Sequence, residues 1–433
     1  MPQISSQECA PCGCRANYPH PSFLLAESID ELLTRRVFDP KILLQLAKTR
    51  SQLTSNSLAE RRLCELANRC AIRSGDSVAA SSSLMQVASS FEKEADQASI
   101  KLLAVSLLKS AIQTLRRVAG TQAERDRVQN KILKIQEQLG TEFKSMQVGS
   151  VDLTQNVENA RSRIRGKTKI VGLAELVLAT SFHDASIAEK SAEASIRSFP
   201  LQNMFAVEKF GSTLKSATAI PPTDFGSIAD DRLFYSMITQ YKCLFGIVSQ
   251  GTILPLIDEL NLCHHLTISD VAEFVNRSPY IPSGHHEFFC IGFLAGIQGR
   301  MIEALHCLVP QLEMLIRAFL WERDVVVSSI DQRGNQREFD LNRLLEMPET
   351  VEYLSEDVVT TLRVLFTHQA GPNIRNELSH GMMTGGQFSN TNTIYAWWTI
   401  VWFALHPVAE LVLEQGGTSQ KSNEEDLNGL TNE

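Results

Sequence analysis

Residues 104–139, AVSLLKSAIQTLRRVAGTQAERDRVQNKILKIQEQL, decide the fold class of this chain. Apolar side chains recur at helical spacing in both halves, at Ala104, Leu108, Ala111 and Leu115 and then at Val128, Ile132, Ile135 and Leu139. Between the halves, Gly120 can end one helix, and Thr121 with Glu124 matches the capping box that begins another. The stretch therefore predicts two amphipathic helices joined as a hairpin.

The helical pattern continues on both sides of this hairpin. An apolar stripe runs through residues 59–70, and residues 394–405 are almost entirely apolar. β-Propensity concentrates in residues 325–330, with residues 336–339 as a possible return strand. No fixed repeat period is present. The sequence predicts an all-α fold in which N-terminal helical hairpins pack on a C-terminal helical bundle with one small β insertion.

The composition is that of a folded chain. Of 433 residues, 43% are hydrophobic and 21% are charged, which excludes collagen-like, low-complexity and largely disordered proteins. The net charge of −8 gives no global positive field, so any contact with RNA must be local. The nine cysteines are an odd number and most have apolar neighbours, so no disulfide framework is expected.

Changes in composition divide the chain into four parts. Residues 1–20 are expected to form a flexible N-terminal tail, residues 21–235 an N-terminal helical region and residues 236–415 a C-terminal helical domain. The main boundary is placed after the polar stretch that contains Pro221-Pro222. Residues 416–433 are polar and acidic without apolar periodicity, so we expect a disordered tail.

The expected compartment follows from the ends of the chain and its apolar segments. Residues 1–20 have neither a positively charged start nor an apolar core of signal-peptide length. Residues 394–405 would rise only about 18 Å as a helix, against roughly 30 Å of bilayer hydrocarbon, and His406-Pro407 follow at once. We therefore expect a cytoplasmic protein without a membrane span.

Most familiar enzyme signatures are missing from the sequence. It contains no glycine-rich phosphate loop, nucleophile elbow, His-Glu-x-x-His motif or paired Cys-x-x-Cys motif. Cys9, Cys12 and Cys14 with His20 are metal-ligand types, but a tetrahedral zinc site normally shows a second pair at a recognisable spacing. The sequence predicts neither a metal site nor a cofactor.

Residues 161–169, RSRIRGKTK, contain five basic residues and no acid. Such a run can contact phosphates, but charge runs are more often a solvated helix end or a linker. The second interpretation is favoured.

Residues 371–381, GPNIRNELSHG, are the strongest candidate for chemistry. A break at Gly371-Pro372 precedes Asn373, which can cap a short polar helix that ends at Gly381. Amide groups at a helix start are exposed and favour a phosphate.

Three side chains of this segment supply functional groups. Asn376 and His380 are four residues apart and share a helix face, and the long Arg375 side chain can reach the same cleft. An arginine offers forked donors to a phosphate, and a histidine can give or take a proton near neutral pH. These groups suit RNA cleavage by the RNA's own 2′-hydroxyl. Alternatively, they form a hydrogen-bond network that only joins two helices.

An arginine followed after four residues by a histidine is the signature of HEPN domains, many of which are metal-independent ribonucleases. From residue 251 onward the chain resembles an uncharacterised domain-of-unknown-function family that is regarded as HEPN-like and is also found in the ER membrane-associated RNA degradation protein. The matching stretches are SPYIP at 278–282, ALHCLVPQLEMLIR at 304–317, GPNIRN to HG at 371–381, and Trp397-Trp398. The resemblance implies a HEPN-like bundle in the C-terminal domain and a site that a homodimer completes with a second histidine.

Within that resemblance, Glu313 and Arg317 stand four residues apart, in the order that favours an ion pair on a helix. We expect Glu313 to face the helix of residues 375–380 and to orient Arg375, with Asn373 as a further supporting residue. The alternative is an exposed pair worth about 0.3–0.5 kcal/mol, whose removal leaves the chemistry unaffected.

The functional hypothesis is a metal-independent endoribonuclease that cleaves RNA by attack of the 2′-hydroxyl. Its catalytic residues are Arg375, Asn376 and His380, and its expected partners are RNA and a second copy of the chain. The alternative is a non-catalytic helical scaffold that binds RNA, a nucleotide or a protein partner.

Overall fold

A computed structural model of the chain describes residues 21–36, 38–54, 56–138, 151–199, 207–210, 216–220 and 228–429. The chain divides into two units, Met1–Met146 and Gln147–Glu433. The tail predicted for residues 1–20, with its three cysteines and His20, lies outside the described residues.

Six helices form the described part of the first unit, and each contacts the next along the chain. They are α1 (Pro21–Arg35), α2 (Pro40–Leu53), α3 (Ser57–Ser74), α4 (Ser77–Gln97), α5 (Lys101–Leu115) and α6 (Gln122–Gln136). The apolar stripe predicted within residues 59–70 is the buried face of α3. Helical periodicity therefore located this packing face correctly.

Helices α5 and α6 form the predicted hairpin, but their junction differs from the prediction. Gly120 has a φ of 78°, the left-handed conformation that glycine adopts readily. The Thr121 hydroxyl donates to the carbonyls of Leu115 (2.8 Å) and Val118 (2.9 Å), at and just after the end of α5. The Thr121 side chain makes no capping bond to α6, so the expected capping box is not formed.

The second unit begins with helices that precede the predicted domain boundary. Its first elements are α7 (Thr154–Ile164), α8 (Lys169–Val177), α9 (Ala185–Ser198), β1 (Val207–Phe210), β2 (Ser216–Ile220), α10 (Asp230–Val248), a π-helical turn (Ser249–Ile253) and α11 (Leu254–Cys263). The boundary expected near residue 235 falls inside α10. Helices α7, α8 and α9 contact α11, α20 and α10 respectively, and this packing places residues 154–198 in the second unit.

The remaining elements follow from residue 268. They are α12 (Ile268–Val275), α13 (His286–Ile297), α14 (Met301–Trp321), β3 (Ser328–Ile330), β4 (Gln336–Glu338), α15 (Leu341–Glu346), α16 (Pro348–Leu354), α17 (Glu356–Leu362), a π-helical turn (Arg363–Thr367), α18 (Ile374–Ser379), α19 (Gly385–Phe388) and α20 (Thr391–Gly429). The predicted all-α class is confirmed, because the strands of the described residues are short and form only two two-stranded sheets.

The predicted β insertion is present as the antiparallel hairpin β3–β4, with Ser328 opposite Glu338. A second antiparallel hairpin pairs Val207 of β1 with Ile220 of β2. Its second strand lies beside Pro221-Pro222, in a stretch interpreted from the sequence as a polar connection. The two strands are short, and apolar and polar residues alternate too little along them for sequence periodicity to reveal them.

Two tryptophans of α20 anchor the core of the second unit, and both are fully buried. The Trp397 indole N–H donates to the Gly292 carbonyl of α13 (3.1 Å). The Trp398 indole N–H donates to the carbonyls of Leu176 and Val177 at the end of α8 (both 3.1 Å). These hydrogen bonds satisfy the only polar atom of each ring, as burial requires.

Helix α13 does not end at Gly296, which lies inside it. A Cβ atom at Gly296 would stand 2.1 Å from the Trp397 ring, so the position is small because the helix and the indole pack closely. The chain instead turns at Gly299, whose φ is 75°.

Helix α18 is held against the core by its own apolar residues and by the loop before it. Ile374 and Leu378 are buried. A Cβ atom at Gly371 would lie 2.0 Å from the Val364 carbonyl oxygen of the second π-helical turn. The predicted break at Gly371-Pro372 is therefore also a close backbone approach that sets the position of α18.

The structure of α20 differs from the expectation for the C-terminal tail. The helix continues to Gly429, so residues 416–429 are helical rather than disordered. No proline follows Pro407, and each added residue contributes another backbone hydrogen bond.

The prediction that no segment can span a membrane is wrong. Residues Asp230–Cys263 (34 residues, mean hydropathy 1.3) and Thr391–Gln415 (25 residues, mean hydropathy 1.4) are both long and apolar enough to cross a membrane. The apolar sequence pattern ends at residue 405, whereas α20 passes through Pro407 and reaches about 37 Å by Gln415. The fold buries 50% and 67% of their apolar windows, and core helices of soluble proteins pass the same length and hydropathy test.

Candidate functional site

The candidate segment folds as predicted into a short helix between two turns. Asn373 occupies the left-handed region with a φ of 53°, α18 spans six residues, and Gly381 follows with a φ of 63°. The Asn373 side chain does not cap a backbone amide of α18. Its Oδ1 instead accepts a hydrogen bond from Asn376 Nδ2 (2.8 Å), so it positions a side chain of the candidate site.

The two terminal nitrogens of the Arg375 guanidinium each donate a hydrogen bond to a different side chain. Its Nη1 donates to Asn376 Oδ1 (3.0 Å) and its Nη2 donates to Glu313 Oε2 of α14 (3.2 Å). The side chain is 31% exposed. Its Nε–H makes no hydrogen bond to the described residues and can serve a ligand.

Glu313 binds two arginines, so it is not the isolated, exposed ion pair with Arg317 that was the alternative. Its Oε1 accepts from Arg317 Nη2 (2.9 Å), while Oε2 accepts from Arg375 and from the Leu341 backbone N–H (3.2 Å). The Glu313 and Arg317 side chains are only 23% and 22% exposed. A carboxylate with several charge-assisted donors has a well-defined position, so Glu313 fixes where the Arg375 guanidinium lies.

Arg317 is in turn fixed by the segment that follows α14. Its Nη2 also donates to the Phe339 carbonyl (2.9 Å), and its Nε lies 3.4 Å from Glu338 Oε2 of β4. The β3–β4 hairpin thus helps to position the candidate site.

His380 stands at the opposite end of α18 from the arginine network. Its backbone N–H donates to the Asn376 carbonyl (3.0 Å), and its side chain is exposed. Among the described residues, the imidazole makes no hydrogen bond to Arg375 or Asn376. The structure therefore brings Asn373, Asn376, Arg375, Glu313 and Arg317 into one network and leaves His380 facing solvent.

The arrangement can hold an anion near one end of α18 and exchange a proton near the other. Four residues lie between Arg375 and His380, and five steps at the helical rise amount to about 7.5 Å. Arg375 is preorganised by Glu313 and keeps a free donor, and His380 is accessible to a substrate. Both groups reach solvent, as a site for an external ligand requires.

The basic run at residues 161–169 is structural. Four of its five basic side chains form ion pairs, Arg161 and Arg165 with Glu259, Arg163 with Glu175, and Lys169 with Asp270. Arg163 also donates to the carbonyls at the end of α8. The run is largely neutralised and offers little charge to a phosphate.

No group of three or more His, Cys, Asp or Glu side chains within the described ranges is arranged to hold a metal ion. The cluster Cys9, Cys12 and Cys14 is outside those ranges.

The sequence missed the contributions of Glu338, Phe339 and Leu341. Phe339 and Leu341 act through backbone atoms, which no side-chain pattern can reveal. Glu338 lies on the predicted return strand, but its pairing with Arg317 depends on how the hairpin folds back on α14.

Comparison of the chain with family models, with curated proteins and with solved structures found no match.

Proposed function

We propose that the protein is a metal-independent endoribonuclease with a HEPN-like C-terminal domain, whose site lies on α18. The observation that supports this best is the preorganised Arg375 guanidinium, held by Glu313 and Asn376 on a six-residue helix that an exposed histidine, His380, directly follows. Such a pair provides anion binding and proton transfer without a metal ion.

The reaction requires one proton to leave and one to arrive. A base removes the proton of the ribose 2′-hydroxyl, the 2′-oxygen bonds to phosphorus, and the bond to the 5′-oxygen breaks while an acid protonates that leaving oxygen. Products are a 2′,3′-cyclic phosphate and a free 5′-hydroxyl. Arg375 stabilises the negative charge that develops on the phosphorane oxygens, and Asn376 holds Arg375 in position.

Two imidazoles on opposite sides of the phosphorus serve as base and acid. A homodimer supplies them, with His380 from each copy. A mixture of His380→Ala and wild-type chains then loses activity more steeply than the fraction of variant chains, because hybrid dimers lack one of the two groups.

The test is cleavage of mixed RNA in the presence of EDTA. Wild-type protein is expected to produce 2′,3′-cyclic phosphate ends, and His380→Ala to lower the rate by about 10²–10⁴-fold. The control is His265→Ala, which removes another exposed histidine in the loop after α11. Equal rates for wild type and His380→Ala would refute the proposal.

A second candidate function is a non-catalytic scaffold, and one observation favours it. The Arg375 side chain bonds to Glu313 and Asn376 but not to His380, as expected if the network only fixes α18 to α14. A ribonuclease retains its melting temperature in His380→Ala because that side chain is exposed. In the scaffold, Arg375→Ala lowers the melting temperature and no RNA is cleaved.

A further inference from the structure

A cavity of about 540 Å³ lies beside the arginine network. It is formed by the last two turns of α14, the β3–β4 hairpin and the loop before α13. Cavities of roughly 300–1,000 Å³ are typical of small-molecule sites. Its volume therefore admits a single heteroaromatic ring system with part of a sugar.

One wall of this cavity suits a flat ring. Trp321 of α14, which is 64% exposed, is one of its lining residues, together with Met314 and Val327. Aromatic side chains are the usual stacking surfaces for nucleobases, and the exposed Trp321 indole can offer its face to one.

The polar wall presents an acceptor next to a donor. Glu338 Oε2 lies 3.4 Å from Arg317 Nε, and the Glu338 side chain is 53% exposed. Arg317 Nη2 is committed to Glu313 and to a backbone carbonyl, while Nη1 has no hydrogen-bond partner within the described part of the chain. A ligand edge that enters here meets two carboxylate oxygens and, beside them, free guanidinium N–H groups.

Guanine is the base whose edge complements this pattern. It carries two adjacent donors, N1–H and the N2 amino group, followed by the O6 acceptor. Adenine, cytosine and uracil place an acceptor where guanine has one of its two donors, and that acceptor would face the carboxylate. We propose that the cavity binds a guanine base, with Glu338 accepting from N1 and N2, Arg317 donating to O6, and Trp321 stacking on the ring.

The cavity is coupled to the candidate site through a single carboxylate. Arg317 and Arg375 bind the two different oxygens of Glu313. A base at Arg317 therefore places the neighbouring phosphate of the same strand near Arg375. This step rests on the proposed ribonuclease function, and it specifies a substrate with guanine next to the cleaved bond.

Binding is measured first, by calorimetry with guanosine monophosphate and adenosine monophosphate as the probes. Wild-type protein is expected to bind the guanine nucleotide at least about tenfold more tightly. Glu338→Gln removes this preference, and Trp321→Ala weakens both nucleotides by about tenfold or more. Both side chains are exposed, so neither change should unfold the protein. Glu322→Gln, an exposed carboxylate just after α14, is the control and leaves binding unchanged. Equal affinity for the two nucleotides, or no binding of either, overturns the assignment.

Cleavage of RNA libraries separates this assignment from the proposed function. A preference for guanine at one position next to the cleaved bond, which disappears in Glu338→Gln, supports both the cavity assignment and the ribonuclease function. Cleavage that depends on His380 but ignores guanine overturns the cavity assignment and retains the ribonuclease. Selective guanine binding without any His380-dependent cleavage retains the cavity and overturns the ribonuclease.

Discussion

Replacement of Glu313 by glutamine tests whether the carboxylate holds the candidate site together. Glu313→Gln keeps the shape of the side chain but turns one acceptor oxygen into an N–H donor. This donor then faces either Arg317 or Arg375 together with the Leu341 N–H, all of which are donors themselves. At least one hydrogen bond is lost and one repulsive contact is created.

The expected cost lies between those of an exposed and a buried ion pair. Breaking a buried pair costs about 3–5 kcal/mol, and a hydrogen bond to a charged group contributes about 1.5–3 kcal/mol. The side chains of Glu313, Arg317 and Arg375 are 22–31% exposed, so water can solvate the guanidinium groups once their ion pairs are broken. We expect a loss of about 2 kcal/mol in the free energy of unfolding of the second unit.

Urea denaturation followed by tryptophan fluorescence measures this loss in the correct unit. All four tryptophans, at 321, 397, 398 and 402, lie in residues 147–433. The control is Glu303→Gln on the same helix, whose partner is Arg300 and whose side chain is 42% exposed. It should cost about 0.5 kcal/mol or less. Equal small losses for the two variants would show that the Glu313 network does not stabilise the site.

Two further changes test the packing around the site and the partly buried histidine of α20, His406. Gly371→Ala places a Cβ atom 2.0 Å from the Val364 carbonyl oxygen. We expect the free energy of unfolding, measured by calorimetry, to fall by about 1–3 kcal/mol and RNA cleavage to be lost. The control Gly385→Ala, where an added Cβ meets no atom within 4 Å, retains cleavage, and equal effects of the two changes would exclude the close approach. Burial lowers the pKa of His406 from its ordinary 6.5, because it disfavours the charged imidazole. The contribution of His406 to the free energy of unfolding is therefore complete above pH 6.5 and decreases as the pH falls below that value. Between about pH 7 and 5 the melting temperature of wild type should decrease more than that of His406→Gln, and parallel profiles of the two proteins would contradict this.

The sequence predicted the elements whose signal is a periodic apolar face. The buried stripe of α3, the α5–α6 hairpin and the short helix before Gly381 all follow from side-chain spacing and turn residues. The β3–β4 insertion followed from a local concentration of β-branched residues.

The sequence-based predictions differ from the structure where one side chain has two possible hydrogen-bond partners, or where tertiary packing determines the extent of a helix or a domain. Thr121 could cap α6 or close α5, and its hydroxyl does the second. Pro407 usually ends a helix, but α20 continues through it because the helix is packed on both sides of that residue. The expected boundary near residue 235 falls inside α10, because linker composition does not show which helices α7–α9 pack against.

The candidate site was predictable only in part. Spacing and resemblance identified Glu313, Arg317, Arg375 and Asn376 as one group, and the structure brings them together. The position of His380 away from the arginine network follows from the length and end of α18, which the sequence does not fix to within one residue.

The most direct test of the account is phosphorus NMR of RNA after incubation with the protein in EDTA. The account predicts a 2′,3′-cyclic phosphate signal with wild type and its loss with Arg375→Ala and His380→Ala. A signal of the same size with either variant, or intact RNA with wild type, would contradict it.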